Sequence, residues 1–156
     1  MGTFDLARRV PASGRHTFDV FSDFRAHGDY IPLTTITADE GPIGVGWRFT
    51  ARSGLGPAAL VDKMVVSVWN PPHEFRIEKL GPMLDGWAHA YFTAEGADTR
   101  VVWRERIVAR PAPLGRGLGP VLDPLNRRMF ARALDKMAAR AAQIQPGDDP
   151  YPSDET

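Results

Sequence analysis

The stretch LGPVLDPLNRRMFARALDKM, residues 118–137, decides the fold, because it is the only segment long enough to cross a sheet as a helix. Its apolar side chains recur at three- and four-residue spacing, which predicts one apolar stripe on an α-helix. The stripe consists of Leu118, Leu122, Leu125, Met129, Ala133 and Met137. Asp123 and Pro124 together are a favourable helix start. Either a helix begins there, or a longer helix is kinked there.

Short β-rich runs, separated by Gly, Pro and Asn-Pro breaks, occupy most of the chain before this helix. A first strand is followed by two short helices, one capped by Ser13, and then by six more strands. The predicted strands are 3–10, 35–39, 47–53, 58–69, 74–80, 84–94 and 99–110, and the second short helix is 25–30. The connections between the later strands are too short for crossover helices, which predicts antiparallel hairpins.

These elements predict an α+β fold. A curved antiparallel sheet of about seven strands needs a cover for its apolar face, and the long C-terminal helix is the element that can provide it. We therefore expect the sheet to wrap around that helix, with the two short helices following the first strand.

Several short motifs accompany this order of elements. They are Val10-Pro11-Ala12-Ser13 leading into Phe18-Asp19-Val20-Phe21, Tyr30-Ile31-Pro32, the glycine turn from Gly41 to Trp47, the Pro-Pro hairpin from Val66 to Phe75, and the turn from Gly96 to Val101. Over about residues 3–142 the layout resembles the helix-grip fold of the START-like (SRPBCC) superfamily, and most of all its polyketide cyclase/dehydrase branch. The resemblance implies a pocket between the sheet and the long helix.

Composition restricts the class of protein. The chain has 156 residues, no cysteine and a formal net charge of zero, which argues against disulfides, thiolate metal sites and a dedicated nucleic-acid binder. No apolar run approaches the ~18 residues of a membrane span. The charged N-terminus is not typical of a signal peptide. We therefore expect a cytoplasmic protein without integral membrane association. Homodimer formation stays open.

We expect one START-like ligand-binding domain over residues 1–145. The last residues, 146–156, carry four acidic and no basic side chains, three prolines and one large apolar residue. Such a segment buries too little apolar surface to offset the entropy of ordering it. It is therefore predicted to be a disordered acidic tail.

The strand 99–110 has the clearest alternation of side chains. Arg100, Arg104 and Arg106 fall on one face, which we expect to lie in water, so Val101, Trp103 and Glu105 should face inward. An unpaired buried carboxylate is costly. Glu105 should therefore either pair with an arginine or a backbone donor, or serve as a polar contact inside a pocket.

The strand 84–94 has two possible registers. A short turn after Glu95 would place Phe92, Ala90 and Ala88 inward, opposite Val101, Trp103 and Glu105, and the small alanines would leave empty volume. A slip by one residue would reverse the faces. His89 would then line the cavity and become the best candidate for a general base.

Two functions follow from the residues and the resemblance. The first is binding of a small hydrophobic or aromatic molecule, through inward residues predicted to be Trp47, Phe49, Met64, Val66, Ala88, Ala90, Phe92, Trp103, Leu122, Leu125 and Met129. The second is a polyketide aromatase/cyclase that catalyses aldol cyclisation and dehydration, with Glu105, Tyr30 and Asp62 as candidate catalytic residues. Arg48 and Arg52 should point outward, which weakens the cyclase hypothesis, because those enzymes tend to use inward arginines.

The sequence lacks the patterns that would indicate other chemistry. None of the four histidines has a partner at metal-ligand spacing, and there is no nucleophile elbow. We expect no metal and no cofactor. The basic side chains of the C-terminal helix do not by themselves indicate a nucleic-acid partner.

Overall fold

The computed structural model describes residues 2–110 and 112–143, and in the C-terminal helix the side chains of residues 117, 120 and 123–143. The strands are β1 (Gly2–Val10), β2 (Thr34–Ala38), β3 (Arg48–Ser53), β4 (Leu60–Asn70), β5 (Glu74–Leu80), β6 (Leu84–Glu95) and β7 (Asp98–Ala109). The helices are α1 (Gly14–Phe21), α2 (His27–Tyr30) and α3 (Ala112–Gln143), with single 3-10 turns at Phe24–Ala26 and Gly56–Ala58. The predicted acidic tail lies outside the described residues.

In this part of the chain the seven strands form one antiparallel sheet in the order β1-β7-β6-β5-β4-β3-β2. The α+β helix-grip architecture predicted from the sequence is confirmed. In the register of β6 against β7, Ala88 lies opposite Glu105 and Ala90 opposite Trp103. The first of the two predicted registers is therefore the one adopted, and His89 lies on the outer face.

Helix α1 begins where the sequence predicts. The side chain of Ser13 accepts a hydrogen bond from the His16 backbone N–H at 3.2 Å, which satisfies one of the free donors at the helix start. The helix buries Phe18, Val20 and Phe21 against the sheet.

Helix α3 is one continuous helix that contains both Pro120 and Pro124, so no helix starts at Asp123. Its buried face includes Ala133, Leu134, Met137 and Ala141. This face is rotated slightly from the predicted stripe. The rotation explains why Leu125 is 60% exposed.

None of the helices in the described part of the chain is long and apolar enough to cross a membrane.

A β-bulge in β4 changes the face presented by its second half. The register against β5 shifts between Val66 and Val68, and beyond it Trp69 lies opposite Phe75. Trp69 thus joins the aromatic core, with its ring centroid 5.2 Å from that of Phe18. Strict alternation from Met64 and Val66 would place Val68 in this inward position. It does not hold here because the bulge adds one residue to the strand.

The inner face of the sheet has two different ends. Under α1 it is filled by aromatic rings, which are Phe18, Phe24, Trp69, Phe75 and Phe92. Phe24 stacks on Phe49 with ring centroids 4.8 Å apart, at the border of this cluster. At the other end, towards Lys79 and Ile107, α1 contributes no rings, and the sheet and α3 enclose empty space.

Candidate ligand cavity

A cavity of about 600 Å³ lies between the inner face of the sheet and helix α3. This volume falls within the ~300–1,000 Å³ typical of small-molecule sites. Its apolar walls include Phe49, Met64, Ile77, Trp103, Met129 and Phe130. Leu60 and Met83 also line it and stay 36% and 40% exposed, so they mark its opening to solvent.

The structure brings seven of the predicted site residues to this cavity: Phe49, Asp62, Met64, Ala88, Trp103, Glu105 and Met129. They come from β3, β4, β6, β7 and α3. Alternation along the strands is therefore enough to select residues that meet across several elements.

Four other predicted contacts are buried but do not line the cavity: Trp47, Val66, Ala90 and Phe92. They belong to the filled end of the sheet. Ala90, for example, lies between Phe75 and Trp103 on the neighbouring strands, whose rings occupy the space above it. Which end is filled depends on where α1 packs, and strand alternation carries no information on that.

The remaining predicted residues lie elsewhere. Leu125 points to solvent, as described above, while Asn126 and Met129 turn towards the cavity. Tyr30 is buried, but it does not line the cavity, and its hydroxyl accepts a hydrogen bond from Arg140 at 3.0 Å. The side chain of Leu122 lies outside the described residues.

Three charged side chains meet on the cavity wall. The Lys79 ammonium donates to Asp62 Oδ2 at 2.5 Å and lies 3.6 Å from Glu105 Oε1. Trp103 Nε1 donates to Glu105 Oε2 at 2.9 Å. Asp62, Lys79 and Glu105 are all less than a tenth exposed. Such a group of two acids and one base, held in an apolar cavity, is costly to build.

Burial and mutual attraction set the proton affinities of this cluster. Burial raises the pKa of Glu105 above its ordinary value, and the opposing effects of Lys79 and the Trp103 hydrogen bond do not cancel it. Burial alone would lower the pKa of Lys79, but the carboxylates of Glu105 and Asp62 outweigh it and raise the pKa. Lys79 therefore stays charged, and Glu105 releases its proton less readily than an exposed glutamate does.

Lys79 is the main residue that the sequence analysis missed. The signal was present, because Phe75, Ile77 and Lys79 alternate along β5 and all three are buried. A lysine at the end of a strand is usually assigned to solvent. Of the two possibilities for Glu105, pairing with an arginine or a backbone donor or a polar contact inside a pocket, the structure favours the second. Glu105 lines the cavity, and its partners are Lys79 and the indole of Trp103.

His27 is a second lining residue that the sequence did not reveal. Its Nε2 donates to the Phe21 carbonyl oxygen at 2.9 Å. Burial lowers its pKa, against the opposing effects of that hydrogen bond and of Asp23. The ring is therefore held neutral.

On the outer face, His89 has partners of its own and plays no part in the cavity. It hydrogen-bonds to Glu74 at 2.7 Å and stacks on Tyr91 with centroids 4.1 Å apart. The guanidinium of Arg104 lies 6.0 Å from the centroid of the Tyr91 ring, and that of Arg76 lies 4.6 Å from the centroid of the Trp87 ring. Arg48 and Arg52 are exposed, as predicted.

A family model described as polyketide cyclase / dehydrase and lipid transport matches residues 1–142 of the chain. No curated protein sequence matches the chain. Solved structures with the same fold include protein TTHA0849 from Thermus thermophilus. That protein is 15% identical with a TM-score of 0.75, and the match covers 90% of this chain and 97% of that one.

Two further structures come from proteins named aromatase/cyclase or ARO/CYC. ZhuI from Streptomyces sp. R1128 is 14% identical with a TM-score of 0.72, over 90% of this chain and 93% of that one. The di-domain BexL from the BE-7585A biosynthetic pathway is 16% identical with a TM-score of 0.61, over 93% of this chain and 51% of that one. At these identities the likeness shows the fold alone.

Proposed function

Because the chain belongs to the polyketide cyclase/dehydrase and lipid transport family, we propose that its cavity binds a small hydrophobic or aromatic molecule between the sheet and α3. The observation that carries this proposal is the cavity of about 600 Å³ with mostly apolar walls and a few convergent polar groups. A site with these properties is suited to a ligand that is apolar over most of its surface.

The position of the cavity in the fold supports the same function. A core of this size is normally packed without voids larger than a water molecule. Here the aromatic rings fill one end of the inner face, while Ala88 and Ala51 present small side chains at the other. An apolar ligand would complete the packing that the chain itself leaves unfinished.

Filling the cavity should weaken ligand binding. We expect Ala88→Phe, which places a ring where Ala88 lines the cavity, to weaken binding of the neutral fluorescent probe Nile red by about tenfold or more. Fluorescence titration measures the affinity. The matched control is Ala7→Phe, which adds the same ring at an exposed position of β1 and should bind as the wild type does. Equal binding by a folded Ala88→Phe variant would place the probe elsewhere and contradict the proposal.

A second candidate function is that of a polyketide aromatase/cyclase, and the buried Asp62–Lys79–Glu105 cluster favours it. Aldol closure requires a base to remove a proton next to one carbonyl group and an acid to protonate the oxygen of the other as the carbon–carbon bond forms. Loss of water then requires a base to remove a second proton next to the carbonyl group and an acid to protonate the departing hydroxyl group. Asp62, beside Lys79, is the candidate base, and Glu105, whose pKa is raised by burial, is the candidate acid. Tyr30, which does not line the cavity, has no role in this scheme.

The two functions predict different results for one substitution. In an enzyme, Glu105→Gln should keep ligand affinity and lower the turnover of a linear poly-β-ketone by about a hundredfold or more, because the amide cannot transfer the proton. The matched control is Glu78→Gln, a carboxylate on the outer face of β5. If neither the wild type nor the variants cyclise such a substrate while the cavity still binds apolar probes, the binding function stands alone.

A further inference from the structure

One buried oxygen of the charged cluster has no partner. Asp62 Oδ2 accepts from Lys79, but Asp62 Oδ1 is fully shielded from solvent and has no hydrogen bond to any described residue. Asp62 as a whole is 8% exposed and lines the cavity. A buried acceptor without a donor loses the free energy of its hydration. A donor on a molecule in the cavity would recover it when the Asp62 carboxyl group, whose residue lines the cavity, turns towards that molecule.

The nitrogen donors of the cluster already face its own carboxyl groups. The Lys79 ammonium donates to Asp62 Oδ2 and to Met64 Sδ at 3.9 Å, and it forms an ion pair with Glu105 Oε1 at 3.6 Å. The indole N–H of Trp103 is used by Glu105. Among the described side chains of this wall, Asp62 Oδ1 is the buried polar atom left without a partner.

The charge of the cavity also selects its contents. Asp62 and Glu105 share one ammonium, that of Lys79. The remaining cation on the described lining is Arg110, which is exposed and hydrogen-bonds to Asp85. His27 is neutral. An anionic ligand would thus meet carboxyl groups without a cation to pair with, and its desolvation would not be offset.

We propose that the ligand is a neutral apolar molecule that carries a hydrogen-bond donor such as a hydroxyl group, bound to Asp62 Oδ1, and that apolar carboxylates are excluded. This inference rests on the proposed binding function. It goes further by naming which polar group the ligand has and the wall of the cavity on which that group lies.

The test compares three probes that share a biphenyl body: para-phenylphenol, para-methylbiphenyl and para-phenylbenzoate. Calorimetry or equilibrium dialysis gives the affinity of each for the wild type at neutral pH. A hydrogen bond to a carboxylate should make para-phenylphenol bind about ten- to a hundredfold more tightly than para-methylbiphenyl. The carboxylate should bind at least tenfold more weakly than the phenol.

Asp62→Asn keeps the shape of the side chain and removes its charge. It should reduce the preference for the phenol over the methyl compound to a few-fold and raise the relative affinity of the carboxylate. The matched control is Asp135→Asn, an exposed carboxylate of α3 that pairs with Arg8 and should leave all three affinities unchanged.

The outcomes separate this inference from the function on which it rests. Equal binding of the phenol and the methyl compound by the wild type, or tightest binding of the carboxylate, would overturn the inference while the binding function stands. Since these results need only the wild type, they hold whether or not the Asp62 variant folds. If a folded wild type binds none of the three probes, both the inference and the binding function are wrong.

Discussion

Replacing Lys79 with methionine should lower the free energy of unfolding by about 3–5 kcal/mol, the usual cost of removing one partner from a buried ion pair. The ammonium lies 2.5 Å from Asp62 and 3.6 Å from Glu105, and its side chain is 5% exposed. Without it, two buried carboxyl groups face each other in an apolar cavity and must be protonated or reach solvent. Methionine keeps much of the apolar stem, so the loss reports on charge more than on packing. Urea denaturation measures it.

A compensating variant separates the charge from the shape of the cluster. Replacing all three members, as Asp62→Asn, Lys79→Met and Glu105→Gln together, removes every charge at nearly the same volume. Most of the lost stability should return, because neutral replacements of a buried ion cluster are often neutral or stabilising. The control Lys63→Met removes an exposed lysine on β4 and should change stability by less than about 0.5 kcal/mol. A single Lys79→Met variant as stable as the wild type would refute this view of the cluster.

Truncating Phe24 to alanine should cost about 3–5 kcal/mol of unfolding free energy. Its side chain is completely buried, its ring stacks on Phe49 at 4.8 Å, and it meets Phe75 edge-on at 5.1 Å. The substitution loses these contacts and leaves a void next to Phe49, which is also a wall of the cavity. Chemical or thermal denaturation gives the change in stability.

The control for this truncation is Leu55→Ala in the loop between β3 and β4. Leu55 is 75% exposed, so its loss should change stability by less than about 0.5 kcal/mol. If Phe24→Ala were no more destabilising than Leu55→Ala, the aromatic cluster under α1 would not be the rigid end of the fold. The division of the inner face into a filled end and an open end would then need revision.

The fold could be predicted from the sequence because its signals are local. The alternation of arginines with Val101, Trp103 and Glu105 determines the faces of β7, and the short turn before Asp98 sets the register that brings Ala88 opposite Glu105. Ser13 marks the start of α1 for an equally local reason. Each of these signals requires only a few neighbouring residues.

The errors arise where the answer depends on distant contacts. The bulge in β4 places Trp69 rather than Val68 on the inner face of the sheet, and the rotation of α3 against the sheet turns Leu125 outward. The position at which α1 packs against the sheet determines that Ala90 and Phe92 lie in the packed core and that Ala88 lines the cavity. Lys79 was missed because a lysine is favourable in the interior only beside acids, and Asp62 and Glu105 lie far from it in the sequence.

The most direct test of the central claim, that the space between the sheet and α3 is a ligand site, uses the methionine methyl groups as NMR reporters. Met64, Met83 and Met129 line the cavity, whereas Met137 is buried in the core and does not. When isotope-labelled protein is titrated with para-phenylphenol, the three lining methyls should shift saturably and show contacts to the bound ring, while Met137 stays nearly unchanged. A saturable change at Met137 alone, or no change at the three lining methyls, would contradict the account.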